Sequence, residues 1–311
     1  MRYNSRMQLN GIFAPLTTPF DFDGAVDLEN FAQNIARYNQ TGVRGYVVNG
    51  STGESVLLRW NEIFKLCQTA RQAAGPGKLV IAGTAAESTA ETIEHTNRAA
   101  ALGCDAALVR TPHYFKPAMT EDALAEYYFR VAEAAGIPIM VYSIPIFTGI
   151  TVEAPLLKRL ASHPNIVGIK DSSRSVARVI EFRAAVPKEF QILVGAPTTL
   201  YDSLQQGAVG GILGIADVLP DPCVEIVEAH AKGDAPHASA LQQILGYITD
   251  EIPTKYGIAG LKYAMDVLGY YGGLPRSPIL PVSDAGKRAI EAALASFVPQ
   301  GAQTASPQHA S

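Results

Sequence analysis

The sequence predicts an α/β fold: a closed (β/α)8 barrel of the TIM type, followed by a C-terminal helical appendix. Eight short apolar runs rich in β-forming residues recur, and longer segments with apolar residues three and four positions apart lie between them. The runs are continuously apolar rather than alternating, which indicates parallel strands buried on both faces. Eight such units in about 230 residues fit the length of one closed barrel.

The elements follow one another in a regular order. Strands are predicted at 11–15, 46–49, 79–82, 107–109, 138–142, 166–169, 192–194 and 211–213. Amphipathic helices are predicted between them, most clearly at 28–38, 60–74, 90–100 and 121–134. An open, doubly wound sheet is the alternative. The first predicted strand is followed by Leu-Thr-Thr-Pro-Phe, however, and not by the Gly-x-Gly-x-x-Gly turn of dinucleotide-binding sheets.

The alternation of strand and helix stops near residue 233. Helices are predicted at 238–249, 258–268 and 284–296, the last capped by Ser283, with a connector rich in Gly and Pro at 270–281. We therefore expect a catalytic barrel domain at 1–232, a helical domain at 233–300 and a disordered tail at 301–311.

Composition and charge exclude several classes of protein. Hydrophobic residues make up 48% of the chain and charged residues 17%, which is enough apolar material for a folded core. A net charge of -4 without a basic run argues against nucleic-acid binding and favours a small-molecule partner. The uncharged stretch 134–152 is broken by Gly and Pro, so it predicts a strand and a loop rather than a membrane span. Residues 1–10 lead into no apolar signal region, which favours the cytoplasm.

Cysteine and histidine usage argues against metal and disulfide chemistry. The three cysteines, Cys67, Cys104 and Cys223, are widely spaced and odd in number, so we expect buried apolar side chains rather than a disulfide framework or a zinc site. The six histidines show no metal-ligand spacing. We therefore predict catalysis without a metal ion.

In a barrel, functional residues lie where the strands end. The sixth predicted strand ends on Lys170, and an amine buried at that position is available in its neutral form as a nucleophile toward a carbonyl group. The alternative is a lysine that emerges at the barrel rim and pairs with Asp171. The fifth strand ends on Tyr142, whose phenol either transfers protons or is simply part of the core.

The second strand leads into a Gly-Ser-Thr-Gly turn. Its hydroxyls, on Ser51 and Thr52, can donate hydrogen bonds to a carboxylate or phosphate, although such a sequence is also compatible with a plain turn. The loop at 111–117 after the fourth strand is aromatic and lines the mouth or contacts another subunit. An amine, a phenol and a pair of hydroxyl groups are together what imine chemistry on a keto acid requires.

Three linked motifs carry a resemblance to a known family. Gly-Ser-Thr-Gly-Glu at 50–54, Tyr-Ser-Ile-Pro at 142–145 and Gly-Ile-Lys-Asp at 168–171 resemble, in order and spacing, those of the dihydrodipicolinate synthase / N-acetylneuraminate lyase family. The resemblance extends over nearly the whole chain. It implies a pyruvate-handling lyase or aldolase that needs no cofactor beyond a covalent imine. It also implies a homotetramer, arranged as a dimer of dimers.

The same resemblance implies roles for individual residues. Lys170 matches the lysine that forms the Schiff base, and Tyr142 matches the tyrosine that relays protons. Ser51 and Thr52 match the pair that binds the pyruvate carboxylate, with Ser51 also taking part in the proton relay.

Three further positions match residues around the substrate. Tyr114 matches a tyrosine that is lent across a dimer interface, and Gly195 and Ile212 match residues that flank the pyruvate.

In the synthases of this family, the loop after the tyrosine that Tyr142 matches carries an arginine that binds the second substrate's carboxylate. In this sequence Phe147 occupies that position.

Within the family, the sequence is most similar to the 4-hydroxy-2-oxoglutarate aldolases. We therefore predict an aldolase that cleaves or forms a 4-hydroxy-2-oxo acid. The alternatives are 4-hydroxy-tetrahydrodipicolinate synthase, N-acetylneuraminate lyase and, from another class, a ligand-binding barrel without turnover. The presence of both Lys170 and Tyr142 argues against the last of these.

Overall fold

Eight parallel strands close into a barrel in the computed structural model, which describes residues 7–297. In chain order they are β1 (Gly11–Ala14), β2 (Gly45–Val48), β3 (Leu79–Gly83), β4 (Ala106–Arg110), β5 (Ile139–Ser143), β6 (Ile166–Asp171), β7 (Gln191–Val194) and β8 (Gly210–Ile212). Since β1 pairs with both β2 and β8, the predicted barrel is confirmed and the open sheet is wrong. Each observed strand lies within two residues of its predicted bounds.

Helices surround the barrel and extend beyond it. They are α1 (Leu28–Tyr38), α2 (Trp60–Ala73), α3 (Thr89–Ala101), α4 (Glu121–Ala134), α5 (Pro145–Thr148), α6 (Ala154–Leu160), α7 (Val176–Ala185), α8 (Leu200–Gln205), α9 (Pro220–Lys232), α10 (Ala235–Thr249), α11 (Lys255–Val267) and α12 (Asp284–Ala295).

The predicted helices recur with small shifts at their ends. Helix α10 begins three residues earlier than predicted, because the Asp234 side chain accepts a hydrogen bond from the His237 N–H and Pro236 occupies the first turn. Ser283 caps α12 as expected, accepting from the Gly286 N–H. The segment 270–281 contains neither helix nor strand, in agreement with a connector.

The barrel has two separate apolar cores. One fills its interior and the other lies between the strands and the surrounding helices. The interior side chains come from alternate strand positions, among them Phe13, Val47, Ile81, Leu108 and Met140. This packing leaves only the rim at the strand ends for polar groups.

The C-terminal segments continue from the barrel without a break. Helix α10 packs against α9, and α11 packs against α12. The division into domains at residue 232 stays a prediction, and the tail predicted at 301–311 lies outside the described residues. Among residues 7–297, none of the helices has the length and apolarity to cross a bilayer. The expected burial of the cysteines is confirmed for Cys67, Cys104 and Cys223.

Candidate active site

Lys170 and Tyr142 lie side by side at the rim of the barrel. They are register partners on β6 and β5, and the Lys170 Nζ lies 4.3 Å from the centroid of the Tyr142 ring. Both residues are buried, with 5% and 4% of their surface exposed. An amine thus lies against a phenol in a site from which most water is excluded.

Ser51 extends this pair toward β2. The turn at 50–53 is closed by a hydrogen bond from the Gly53 N–H to the Gly50 carbonyl, and the Ser51 Oγ lies 3.4 Å from the Tyr142 Oη. This distance is longer than a typical hydroxyl hydrogen bond, as catalytic contacts often are before substrate binds. Lys170, Tyr142 and Ser51 can therefore form one path for protons.

Thr52 and Ile212 lie close to the end of β8. A Cβ built on Gly214, just beyond β8, would lie 3.6 Å from the Thr52 Oγ1, so the two loops meet. Ile212 is fully buried in the interior core together with Tyr142. The two predicted substrate contacts therefore lie at the same end of the barrel as the amine.

Gly195 lies directly against the lysine. It follows β7, and a Cβ at this position would lie 3.1 Å from the Lys170 Cε and only 2.0 Å from the Ser172 Oγ. A larger residue would displace one of these groups. Glycine here permits the close approach of the backbone to the amine.

A cavity of about 400 Å³ opens beside Tyr142. Ser51, Tyr142 and Tyr114 line it, whereas Lys170, Thr52, Gly195 and Ile212 are not among its lining residues. Tyr114 is 77% exposed in the single chain. The structure therefore brings the predicted residues to one end of the barrel, and their individual roles stay predictions.

Phe147 takes no part in this cavity. It lies in the short helix α5, is 66% exposed, and is absent from the cavity lining. The position implied for a substrate-binding arginine therefore supplies neither charge nor apolar surface to the cavity of this chain.

Arg110 is the most prominent cavity residue that the sequence analysis missed. It ends β4 as the register partner of Tyr142, and its Nη1 donates to the Glu87 Oε1 at 3.0 Å. The Glu87 Oε2 in turn accepts the N–H groups of His113 and Tyr114. Arg110 ends an apolar run just as Lys170 does, so the same rule about strand ends would have found it.

Charges in this cluster follow from its contacts. Burial by itself raises the pKa of Glu87, but the N–H groups of Tyr114 and His113 and the Arg110 guanidinium outweigh it and lower that pKa. Burial, with Arg110 next to the ring, lowers the pKa of His113, although Glu87 acts in the opposite direction. At neutral pH the cluster therefore contains a carboxylate, a guanidinium and a neutral imidazole.

Two buried carboxyl groups lie at or just beyond strand ends. Burial raises the pKa of Asp171, which follows Lys170, while contacts with Ser173 and Arg178 lower it. Burial also raises the pKa of Asp217 well above its usual value. The hydrogen bond from the Thr17 N–H and the charge of Lys170 act in the opposite direction and lower that pKa. Asp217 lies in the turn after β8 and was not singled out in the sequence, although it too lies just beyond a strand end.

A buried ion pair supports the turn that carries Ser51 and Thr52. The Lys262 Nζ of α11 donates to the Glu54 Oε1 at 2.9 Å, and both side chains are almost fully buried. Lys262 also donates to the carbonyls of Thr18 and Leu274. Burial lowers the pKa of Lys262, and the Glu54 carboxylate opposes that shift.

Arg276 completes this support. Its backbone N–H donates to the Glu54 Oε2 at 2.7 Å, and its guanidinium binds both oxygens of Glu62. The hydrogen bond with Arg276 lowers the pKa of Glu62 to about 2, although burial acts in the opposite direction. The connector after α11 is therefore held on the barrel by charged contacts.

The site offers no evident metal centre. Within residues 7–297, no three His, Cys, Asp or Glu side chains group as a metal site requires. That catalysis proceeds without a metal ion stays a prediction.

Over most of its length, the chain is similar to proteins of one known family. The model of the dihydrodipicolinate synthetase family matches residues 8–297. A protein of a Jannaschia species named 4-hydroxy-tetrahydrodipicolinate synthase is 37% identical over 284 residues, covering 91% of this chain and 97% of its own. A Synechococcus protein of the same name is 35% identical and covers 92% and 94%.

Solved structures agree with the sequence matches. YagE, a prophage protein of the dihydrodipicolinic acid synthase family from Escherichia coli solved with pyruvate, has a TM-score of 0.87 and 29% identity, covering 93% of this chain and 98% of its own. A dihydrodipicolinate synthase from Bacillus anthracis has a TM-score of 0.90 and 25% identity, with coverages of 94% and 100%.

Proposed function

This chain belongs to the dihydrodipicolinate synthetase family of carbon–carbon lyases, and on that basis we propose that it is a Schiff-base aldolase that handles pyruvate. Its substrate is a 4-hydroxy-2-oxo acid such as 4-hydroxy-2-oxoglutarate, which is cleaved to pyruvate and glyoxylate or formed from them. The observation that carries the proposal is the buried Lys170 amine against the Tyr142 ring, with the Ser51 hydroxyl 3.4 Å from the phenol.

The chemistry proceeds through a covalent imine. The Lys170 nitrogen adds to the keto carbon, and water leaves as the protonated imine forms. Tyr142 donates its phenolic proton to the departing water and is left as a phenolate. This phenolate then accepts the proton of the 4-hydroxyl group as the bond between the third and fourth carbons breaks, which releases the aldehyde. The electron pair of that bond passes to the imine and gives an enamine. Protonation of the enamine and addition of water then release pyruvate and the free amine.

Hydroxyl donors support binding of the pyruvate carboxylate. Ser51 and Thr52 lie in the Gly-rich turn beside Tyr142, where their hydroxyls can donate to an anionic oxygen. Gly195 supports the same reading because it leaves space beside the Lys170 Cε. YagE was solved in complex with pyruvate, which supports pyruvate as a ligand of this chain as well.

Synthase activity is the second candidate function. The names of the curated relatives favour 4-hydroxy-tetrahydrodipicolinate synthase, which uses an aldehyde that carries a carboxylate and an ammonium group. Phe147 argues against it, because this side chain offers no donor where the resemblance implies an arginine. We retain the aldolase as the leading function.

Reductive trapping tests the imine directly. Pyruvate with borohydride should leave one stable adduct on Lys170, identified by peptide mass spectrometry, with a chelator present throughout because no metal is expected to take part. Lys170→Met should abolish the adduct, and Lys158→Met, on the exposed face of α6, should retain it. An adduct on another lysine, or none, would exclude the Schiff-base mechanism.

Product analysis tests the substrate. The purified protein is supplied with pyruvate and either glyoxylate, aspartate semialdehyde or N-acetylmannosamine. Formation of 4-hydroxy-2-oxoglutarate at the highest catalytic efficiency is expected. Efficient condensation with the semialdehyde would establish the synthase instead and leave the chemistry of Lys170 unchanged.

The proposal also covers the oligomeric state, the binding partners and the cellular location of the protein. We expect a homotetramer with small-molecule partners and no nucleic-acid or membrane partner. The surface around Tyr114 supports association, since large apolar side chains are exposed there. The cytoplasmic location stays a prediction.

A further inference from the structure

A dicarboxylic oxo acid needs a second anion-binding group. The proposed function places one carboxylate at the turn with Ser51 and Thr52, but it names no partner for the other. Phe147 cannot supply one, because it lies outside the cavity and has no hydrogen-bond donor in its side chain. The second group must therefore come from the cavity wall.

Arg110 is the single guanidinium or ammonium group among the lining residues of this cavity, as far as residues 7–297 form it. Its partner in the strand register is Tyr142, whose own partner on the next strand is Lys170. Neighbouring strands lie about 4.8 Å apart, so the backbones of Arg110 and Lys170 are separated by roughly 10 Å. Amine, phenol and guanidinium thus follow one another along the barrel rim.

One edge of this guanidinium is available. Nη1 makes all of the hydrogen bonds that Arg110 forms with its side chain among residues 7–297, to Glu87, to His113 and to the Thr111 carbonyl. Nε and Nη2 have no protein partner within that part of the chain. These two donors form the edge that binds a carboxylate through two parallel hydrogen bonds.

Glu87 fixes the guanidinium without occupying this edge. Its Oε1 accepts from Nη1, and its Oε2 is occupied by the N–H groups of His113 and Tyr114. The carboxylate of Glu87 thereby orients Arg110 from one side. A planar group held in this way loses little conformational freedom when it binds a ligand.

We propose that Arg110 binds the distal carboxylate of a 2-oxo dicarboxylic acid whose keto carbon reacts with Lys170. This assignment rests on the proposed function and makes Arg110 a specificity-determining residue, which selects dicarboxylic over monocarboxylic oxo acids. Three carbon–carbon bonds of about 1.5 Å separate the keto carbon of a five-carbon acid from its distal carboxylate. The remaining distance is covered by the lysine and arginine side chains.

The competing explanation is a purely structural one, in which Arg110 and Glu87 only hold the His113–Tyr114 loop. Such a role would affect all oxo acids equally. Selectivity between two acids that differ only in the distal group therefore separates the two explanations.

The test measures borohydride trapping of 2-oxoglutarate and of 2-oxopentanoate on the full chain, with pyruvate as the reference. The wild type should be half-saturated at a lower concentration of 2-oxoglutarate. Arg110→Met should reduce this preference by about 10- to 100-fold, the range expected for hydrogen bonds to a charged group. Arg110→Lys, which retains the charge but lacks the planar fork, should give an intermediate loss. Arg130→Met, at an exposed position of α4, is the matched control and should not alter the preference.

The outcomes separate the two proposals. If pyruvate is trapped on Lys170 but the wild type shows no preference for 2-oxoglutarate, or Arg110→Met weakens trapping of both acids equally, the role of Arg110 is refuted and the proposed function stands. If no 2-oxo acid is trapped, both fail. Should Arg110→Met not fold, as judged by its thermal unfolding, the selectivity of Arg110→Lys decides: an unchanged preference refutes the role.

Discussion

At the scale of the residue, we predict that the hydroxyl group of Tyr142 contributes to turnover and not to the stability of the fold. Tyr142→Phe retains the ring against Lys170 and removes only the hydroxyl, so the fold should persist. Turnover should fall by about 10²-fold or more, because a positioned general acid or base contributes about 10²–10⁴-fold. Steady-state kinetics beside a thermal unfolding curve checks this, and a folded variant with full activity would assign the hydroxyl a structural role.

Strand ends determine how much of the site can be predicted from sequence. Lys170 and Tyr142 were identifiable because a polar group that closes an apolar run of a barrel strand faces the rim. Arg110 obeys the same rule, because it closes the apolar run of β4. Its pairing with Glu87 could not be predicted, because loop conformation determines which side chains meet.

At the scale of the element, the turn after β2 depends on helix α11. Lys262→Met should leave Glu54 as a buried carboxylate without its cation, which costs about 3–5 kcal/mol of unfolding free energy. Displacement of Ser51 and Thr52 should lower activity as well. Urea unfolding and kcat/KM of the variant measure the two effects.

The matched control is the double variant Glu54→Gln with Lys262→Met. It removes both charges, so it should recover part of the lost stability, because the uncompensated carboxylate is gone. A double variant no more stable than Lys262→Met would mean that packing, not charge, holds the turn.

Elements were predictable where local chemistry defines them. Continuous apolar runs identified all eight strands, and Ser283 identified the start of α12. The contact between Glu54 and Lys262 left no local signal, because the two residues lie 208 positions apart. Only the closed fold brings them together.

At the scale of the whole molecule, an exposed aromatic surface predicts association. Tyr114, Phe115, Ile146 and Phe147 are each at least 66% exposed, and Tyr114 and Phe115 contact each other through their rings. A Cβ at Gly149, the residue after α5, would lie 2.9 Å from the Lys116 Nζ. The aromatic loop at 111–117 therefore adjoins the end of α5. Large exposed apolar patches of this kind mark contact sites, which here suit a second copy of the chain.

Phe115→Glu tests this surface. A charge in a closely packed apolar contact should shift the proposed tetramer toward smaller species in analytical ultracentrifugation, measured beside the wild type. Phe115→Leu retains the apolar character and should sediment like the wild type. If the Phe115→Glu variant remains a tetramer, the contact lies elsewhere.

The contacts of Glu54 with Lys262 and Arg276 also impose an order on the synthesis of this chain. All eight strands have been synthesised once residue 212 is added. Lys262 and Arg276 are added much later. Until then, the Glu54 carboxylate beneath the Ser51–Thr52 turn lacks the partners that accompany its burial. The turn that carries Ser51 and Thr52 therefore gains its buried ion pair only after all eight strands have been synthesised.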